Sequence, residues 1–159
     1  MIKRLGFANT EKGWSWVSGW NFTPEKWNGE INFSGRKSIW LGLEVSLGFN
    51  SVVSKGGEIS NGLRVRGNEL WGNDDWNSVL VYKYGKDMEL KNHIDRDVFD
   101  KKVVLINFCK VLVAFNYGGK VFWLKNGEII EFDNSVLHGV SKVASERFSV
   151  SFRKVINWN

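Results

Sequence analysis

Residues Trp76 to Asp97 read WNSVLVYKYGKDMELKNHIDRD, and the fold follows from how that stretch is divided. Its first part, Ser78–Tyr84, is rich in the β-branched and aromatic types that suit a pleated surface, and it reads as a strand. A second strand, Leu90–His93, closes the stretch and delivers His93 and, two residues on, Asp95. Downstream the pattern recurs: Val103–Phe108, Val111–Tyr117, Lys120–Leu124, Glu128–Phe132, Gly139–Val143 and Arg147–Lys154 all read as strands. Asn126-Gly127, between FWLK and EIIEF, carries the signature of a type I′ hairpin, and Gly118-Gly119 marks another tight connection. Eight short strands at close spacing, with no long helix among them, predict a mainly β sandwich or jelly roll.

Upstream of Trp76 the signals are weaker. WSWVSGW (14–20) alternates like a strand with one aromatic face. Thr23-Pro24-Glu25-Lys26-Trp27 reads as a helix start, with Thr as N-cap and Pro in the first turn, ended at once by Asn28-Gly29. Ile39–Val45 and Leu63–Arg66 read as strands, and any short helices are expected in this first half, packed on one sheet. With 159 residues the chain is expected to form one domain, 76–159 as its core and 1–75 as an extension on the substrate side.

Composition narrows the function. The single cysteine, Cys109, excludes an internal disulfide framework, and it sits in an apolar run that reads as core. Met1 to Trp14 lacks the apolar segment of a signal peptide, and apolar runs such as Val111–Phe115 are too short to cross a membrane as a helix. A cytoplasmic protein without membrane contacts, acting as a monomer, is the expectation. No G-x-S-x-G elbow supports nucleophilic catalysis. A net charge of +5 is compatible with a polyanionic partner.

The chemistry gathers around the two histidines of the chain. On a strand, His93 and Asp95 would share one face. His138 follows EFDNSVL, where another strand begins. Two imidazoles and one carboxylate on one side of a metal leave the opposite positions open, which is the facial triad of Fe(II) oxygenases. In RFSVSFR (147–153), alternation puts Arg147, Ser149, Ser151 and Arg153 on one face, able to grip a dicarboxylate, and Phe148, Val150 and Phe152 on the other.

These motifs, in order, resemble the AlkB-like Fe(II)/2-oxoglutarate-dependent dioxygenases. WNSVLVYKY, HID, VVLINFCKVLVAF, HGV and RFSVSFR match the family pattern over about half the chain. The resemblance implies a double-stranded β-helix (jelly roll) core with a few short helices from the N-terminal half. It implies Fe(II) held by His93, Asp95 and His138, with 2-oxoglutarate and O2 as co-substrates. Arg147 would pair with the distal carboxylate of 2-oxoglutarate; Tyr84, Ser149, Ser151 and Arg153 would complete that subsite. Asp97 stands where base-repairing members carry an acidic residue beside the substrate, and Trp76 and Tyr82 are candidates for stacking on a base. Tyr82 and Ser149 replace asparagines of the family pattern, Val98 replaces an acidic residue, and residues 1–75 show no counterpart of the nucleotide-recognition lid. The expected reaction is oxidative demethylation of alkylated bases, with single-stranded or damaged nucleic acid as partner. Two readings stand beside it: hydroxylation of a small metabolite, amino acid or protein side chain at the same site, and a non-enzymatic tryptophan-rich β-sandwich that binds ligands.

Overall fold

The computed structural model describes residues 1–27, 30–31, 35–46 and 51–156, with 26–27 and 30–31 described by backbone alone. The strands are β1 (Lys3–Phe7), β2 (Thr23–Pro24), β3 (Lys26–Trp27), β4 (Glu30–Ile31), β5 (Lys37–Ser46), β6 (Val52–Lys55), β7 (Ser78–Tyr84), β8 (Leu90–His93), β9 (Lys102–Cys109), β10 (Val113–Tyr117), β11 (Lys120–Leu124), β12 (Glu128–Asp133), β13 (His138–Val140) and β14 (Arg147–Arg153). Two helices, α1 (Thr10–Ser18) and α2 (Asn61–Trp71), precede β7.

From β7 onward the chain passes between two facing antiparallel sheets. β7, β9, β12 and β14 lie in the major sheet, in the order β1-β12-β9-β14-β7-β5-β2, with β6 beside β5. β8, β10, β11 and β13 form the minor sheet, in the order β11-β10-β13-β8. This winding is the double-stranded β-helix, a jelly roll. The N-terminal half widens the major sheet at both edges through β1 and β5.

Period-2 alternation assigns each face of the major sheet. Tyr84, Leu105, Cys109 and Ile130 point between the sheets and meet Val113, Phe115, Tyr117, Leu124 and Val140. Val79, Val81, Val104, Ile106, Phe108, Phe148, Val150 and Phe152 point the other way, under the helices, and pack with Val17, Trp71 and Trp76. Trp14 meets Phe148 edge-on at 5.2 Å, and Trp76 meets Phe152 edge-on at 5.1 Å. All seven residues of β14 are buried, so neither of its faces is a solvated one.

Several local expectations are corrected. WSWVSGW lies in and just after α1, capped by Asn9, whose side chain accepts from Lys12 N at 2.9 Å. The cap and the i, i+4 contact of Trp16 with Trp20, 5.9 Å between ring centroids, favour a helix over the alternation. Leu63–Arg66 lies in α2, capped by Ser60, which accepts from Leu63 N at 3.2 Å. Gly72 ends that helix in the left-handed conformation. Thr23-Pro24 starts no helix: it pairs with Ser38 and Lys37 at the sheet edge, where a proline without an N–H costs nothing. The Asn28-Gly29 stop expected there lies outside the described residues.

The two glycine turns exchange roles. Gly118 and Gly119 both have positive φ, 57° and 80°, and close the β10–β11 hairpin between Tyr117 and Lys120, as a type I′ turn requires. Asn126-Gly127 forms no hairpin, because β11 and β12 belong to different sheets. There only Gly127 is left-handed, with Glu128 N donating to Lys125 O at 3.1 Å, which is a type II turn that hands the chain across. At the far edge, β1 is exposed throughout, and its pairing with β12 slips between Arg4 and Gly6.

Candidate metal centre and co-substrate pocket

The space between the sheets opens into a cavity of about 870 Å³. His93 and His138 face each other across adjacent strands, at the end of β8 and the start of β13. Asp95 lies beyond the end of β8, in the loop that follows, and not on the strand as the H-x-D spacing suggests. Asn134 fixes it there: Asp95 N donates to Asn134 O at 3.1 Å, and Asn134 Nδ2 donates to Asp100 O at 2.9 Å.

Asp95 Oδ1 lies 3.0 Å from His93 Nε2 and 3.1 Å from His138 Nε2. Each imidazole turns its other nitrogen to a backbone carbonyl at 2.8 Å, His93 to Lys91 O and His138 to Val136 O. A carbonyl only accepts, so Nδ1 carries the proton, and in a neutral ring Nε2 presents a lone pair. Two lone pairs and a carboxylate oxygen then converge, an arrangement relieved by a cation. Cis ligands about 2.1 Å from a metal lie about 3.0 Å apart, the separation observed. All three ligand atoms lie within 4.8 Å of one another. The site therefore fits a two-histidine, one-carboxylate metal centre. Phe132 packs on the His138 ring at 5.1 Å and Phe115 at 6.3 Å, so His138 is buried while His93 is partly exposed.

Arg153 lines the cavity and braces Asp95. Its Nη1 pairs with Asp95 Oδ2, and its Nε donates to Ser151 Oγ at 3.1 Å. Burial opposes ionisation of Asp95, but the Arg153 guanidinium outweighs it and holds the carboxyl well below its usual range.

Arg147 occupies the other end of β14. Its side chain is 1% exposed, and Nε donates to Asn107 Oδ1 at 2.7 Å. Asn107 is itself held by donation to Lys125 O at 3.0 Å. Among the described residues no carboxylate pairs with Arg147, and its Nη2 has no hydrogen-bond partner. Burial pushes its pKa down, yet a guanidinium keeps its proton in a protein. A buried cation with an unused donor in a cavity fits the carboxylate of an anionic ligand.

Cross-strand register aligns the rest of the subsite. Arg147 stands opposite Tyr84, Ser149 opposite Tyr82, and Ser151 opposite Leu80. Tyr84, Tyr82, Ser149 and Ser151 line the cavity with the metal residues. Ser151 Oγ donates to Leu80 O at 3.2 Å. Two expected substrate residues are elsewhere. Trp76 is buried under the helices, its Nε1 donating to Asn68 Oδ1 at 2.8 Å, and Asp97 is exposed outside the cavity lining. Cys109 is buried and its thiol is pushed up by burial, as a core residue should be.

Sequence reasoning missed Asn107, Asn134, Glu25 and Arg36. The first two carry no motif, and their partners are remote in the chain. Arg36 stands beside Lys37 and belongs to no motif. In the structure it is buried at the cavity wall, paired with Glu25 at 2.6 Å and donating from Nη1 to Tyr84 Oη at 3.1 Å.

No family model matches this sequence, and no curated protein does. Solved structures do. A 2OG-Fe(II) oxygenase family oxidoreductase from Burkholderia pseudomallei superposes with a TM-score of 0.63 at 13% identity, over 93% of this chain and 79% of that one. A prolyl-4-hydroxylase from Pseudomonas putida gives 0.61 at 12% identity, over 98% and 92%. A prolyl hydroxylase from Trichoplax adhaerens, in complex with a hypoxia inducible factor oxygen degradation domain peptide fragment, gives 0.56 at 14% identity, over 91% and 75%. The chain thus has the fold of the 2OG-Fe(II) oxygenases. Among the described residues no helix is long and apolar enough to cross a membrane.

Proposed function

We propose that the protein is an Fe(II)- and 2-oxoglutarate-dependent dioxygenase that hydroxylates an aliphatic C–H bond of a small metabolite, amino acid or protein side chain. One observation carries the reading: two Nε2 atoms converge on one carboxylate oxygen at 3.0 and 3.1 Å, in a cavity that also holds a buried guanidinium with a free donor. His93, Asp95 and His138 would hold Fe(II), and Arg147 with Tyr84 would hold the distal carboxylate of 2-oxoglutarate. When bound, iron and 2-oxoglutarate supply the oxidising power, with O2 consumed and succinate and CO2 released. The chain's own part is to orient and exclude. Backbone carbonyls fix both imidazoles, Arg153 fixes the carboxylate, and Phe115 and Phe132 keep water from the His138 side.

The order of WNSVLVYKY, HID, HGV and RFSVSFR supports an AlkB-like relationship within this reading. Demethylation of alkylated bases has less support, because of Trp76, Asp97 and Tyr82 only Tyr82 lines the cavity. Two of the similar structures are prolyl hydroxylases by name, which favours a C–H hydroxylase.

The test is an anaerobic titration with Fe(II) and then 2-oxoglutarate, followed by visible charge-transfer absorption. Succinate release is then measured over a panel of prolyl peptides, free amino acids and methylated oligonucleotides. The expected result is a band that needs both additions and is absent in His138→Ala, with succinate release stimulated by a peptide or amino acid. Stimulation by methylated oligonucleotides alone would transfer the substrate to nucleic acid. A wild-type protein giving no band would remove the oxygenase reading.

A further inference from the structure

Three groups stand in one row across adjacent strands of the major sheet: Arg147 on β14, Tyr84 on β7, and Arg36 just before β5. Lys37 opposite Lys83 sets that register, so Arg36 falls beside Tyr84. The Tyr84 phenol therefore lies between two guanidinia, with the Arg147 Cζ 4.9 Å and the Arg36 Cζ 5.5 Å from its ring centroid. The two guanidinia are not equivalent. Arg147 has no carboxylate partner among the described residues, whereas Arg36 is held by both oxygens of Glu25, at 2.8 and 2.6 Å. Glu25 is buried as well, and Arg36 Cζ rests 4.1 Å from the centroid of the Tyr82 ring.

Hydrogen-bond direction gives this row a consequence. A guanidinium only donates, so in the 3.1 Å contact of Arg36 Nη1 with Tyr84 Oη the phenol must accept. The phenol has one proton, and Arg36 offers no acceptor for it. That proton is turned from the Arg36 side toward the cavity, where it can be donated to an anion beside Arg147. Glu25 meanwhile pairs with Arg36, whereas Arg147 has no carboxylate partner among the described residues.

We propose that Arg36, paired with Glu25, is a positioning residue that aims the Tyr84 hydroxyl proton at the distal carboxylate of the dicarboxylic co-substrate. This inference rests on the 2-oxoglutarate reading above and extends it to the N-terminal half of the chain. Arg36 touches no ligand itself; it sets the donor direction of a residue that does. Diacids are selected because Arg147 and Tyr84 both donate to the same carboxylate, and a 2-oxo monoacid leaves both donors unmet.

The experiment measures dissociation constants by calorimetry on the full chain loaded with Mn(II), for 2-oxoglutarate and for 2-oxopentanoate, which lacks the distal carboxylate. Arg36→Met is made in the wild-type and Tyr84→Phe backgrounds, and again with Glu25→Gln so that no buried carboxylate is left unpaired; thermal unfolding checks each variant. Arg36→Met with Glu25→Gln is expected to weaken 2-oxoglutarate about tenfold in the wild-type background and less than about twofold in the Tyr84→Phe background, the loss of one charge-assisted bond. Binding of 2-oxopentanoate is expected to stay within about twofold. Equal losses in both backgrounds, equal losses for both acids, or no loss at all overturn the positioning role of Arg36. Wild-type protein that binds no 2-oxoglutarate overturns the co-substrate reading with it, and the wild-type titration separates the two failures.

Discussion

Asp95 answers to three partners at once: two imidazoles on one oxygen and Arg153 on the other. Arg153→Met leaves all three metal ligands in place but frees the carboxylate to rotate. Metal affinity should fall about tenfold, measured by competition with a chelator, while the 2-oxoglutarate dissociation constant of the saturated protein changes much less. Arg147→Lys tests the opposite end of β14. A point charge replaces a planar fork, so the 2-oxoglutarate dissociation constant should rise about tenfold with metal affinity unchanged. The residues that could be read from sequence were those in short local motifs: the H-x-D pair, although Asp95 lies past the end of its strand, and the alternation that puts Arg147, Ser149, Ser151 and Arg153 on one face. Arg36 meets Tyr84 across 48 residues and Arg147 meets Asn107 across 40, so those contacts exist only once the sheet is paired. Trp76 and Asp97 lie outside the cavity lining for the same reason: closeness to the H-x-D pair in sequence does not fix where sheet pairing places a side chain.

The helices were the least legible elements. A short helix with tryptophans two residues apart, as in α1, imitates a strand, as do the alternating Leu63 and Val65 of α2, and only the caps betray them. The caps of α1 and α2, Asn9 and Ser60, are ordinary turn residues until the helix behind them is known. Ser60→Ala should cost about 1 kcal/mol in chemical denaturation, the worth of an N-cap. Gly67 allows α2 to lie against Trp76: a Cβ there would stand 2.2 Å from the Trp76 ring. Gly67→Ala should destabilise by about 1–3 kcal/mol, read from the denaturation midpoint, and leave metal affinity unchanged because the strain falls on the helix side of the sheet. An altered metal affinity would mean that the helix layer reaches the cavity through β14. Strands such as β7 and β9 were legible because they are short apolar runs, the pattern of strands buried on both faces, bounded by polar and turn residues. The destination of the chain after Asn126-Gly127 was not, since a short turn can join strands within a sheet or carry the chain to the facing one.

At the scale of the molecule, the proposed metal ligands come from the minor sheet and its loops, and the proposed carboxylate clamp comes from the major sheet. Ligand binding therefore ties the two walls together. With Mn(II) present, 2-oxoglutarate at a hundredfold its dissociation constant should add about 2.7 kcal/mol to the stability of the native state, seen as a raised unfolding midpoint that a chelator reverses. A midpoint that ignores both ligands would mean that neither binds the native state. The edge of the major sheet has its own consequence. β1 carries Lys3 and Arg4 and breaks step with β12 at Gly6. A stray polypeptide seeking to extend the layer finds cationic side chains and amides out of phase, so the widened wall stops there rather than serving as a template for aggregation.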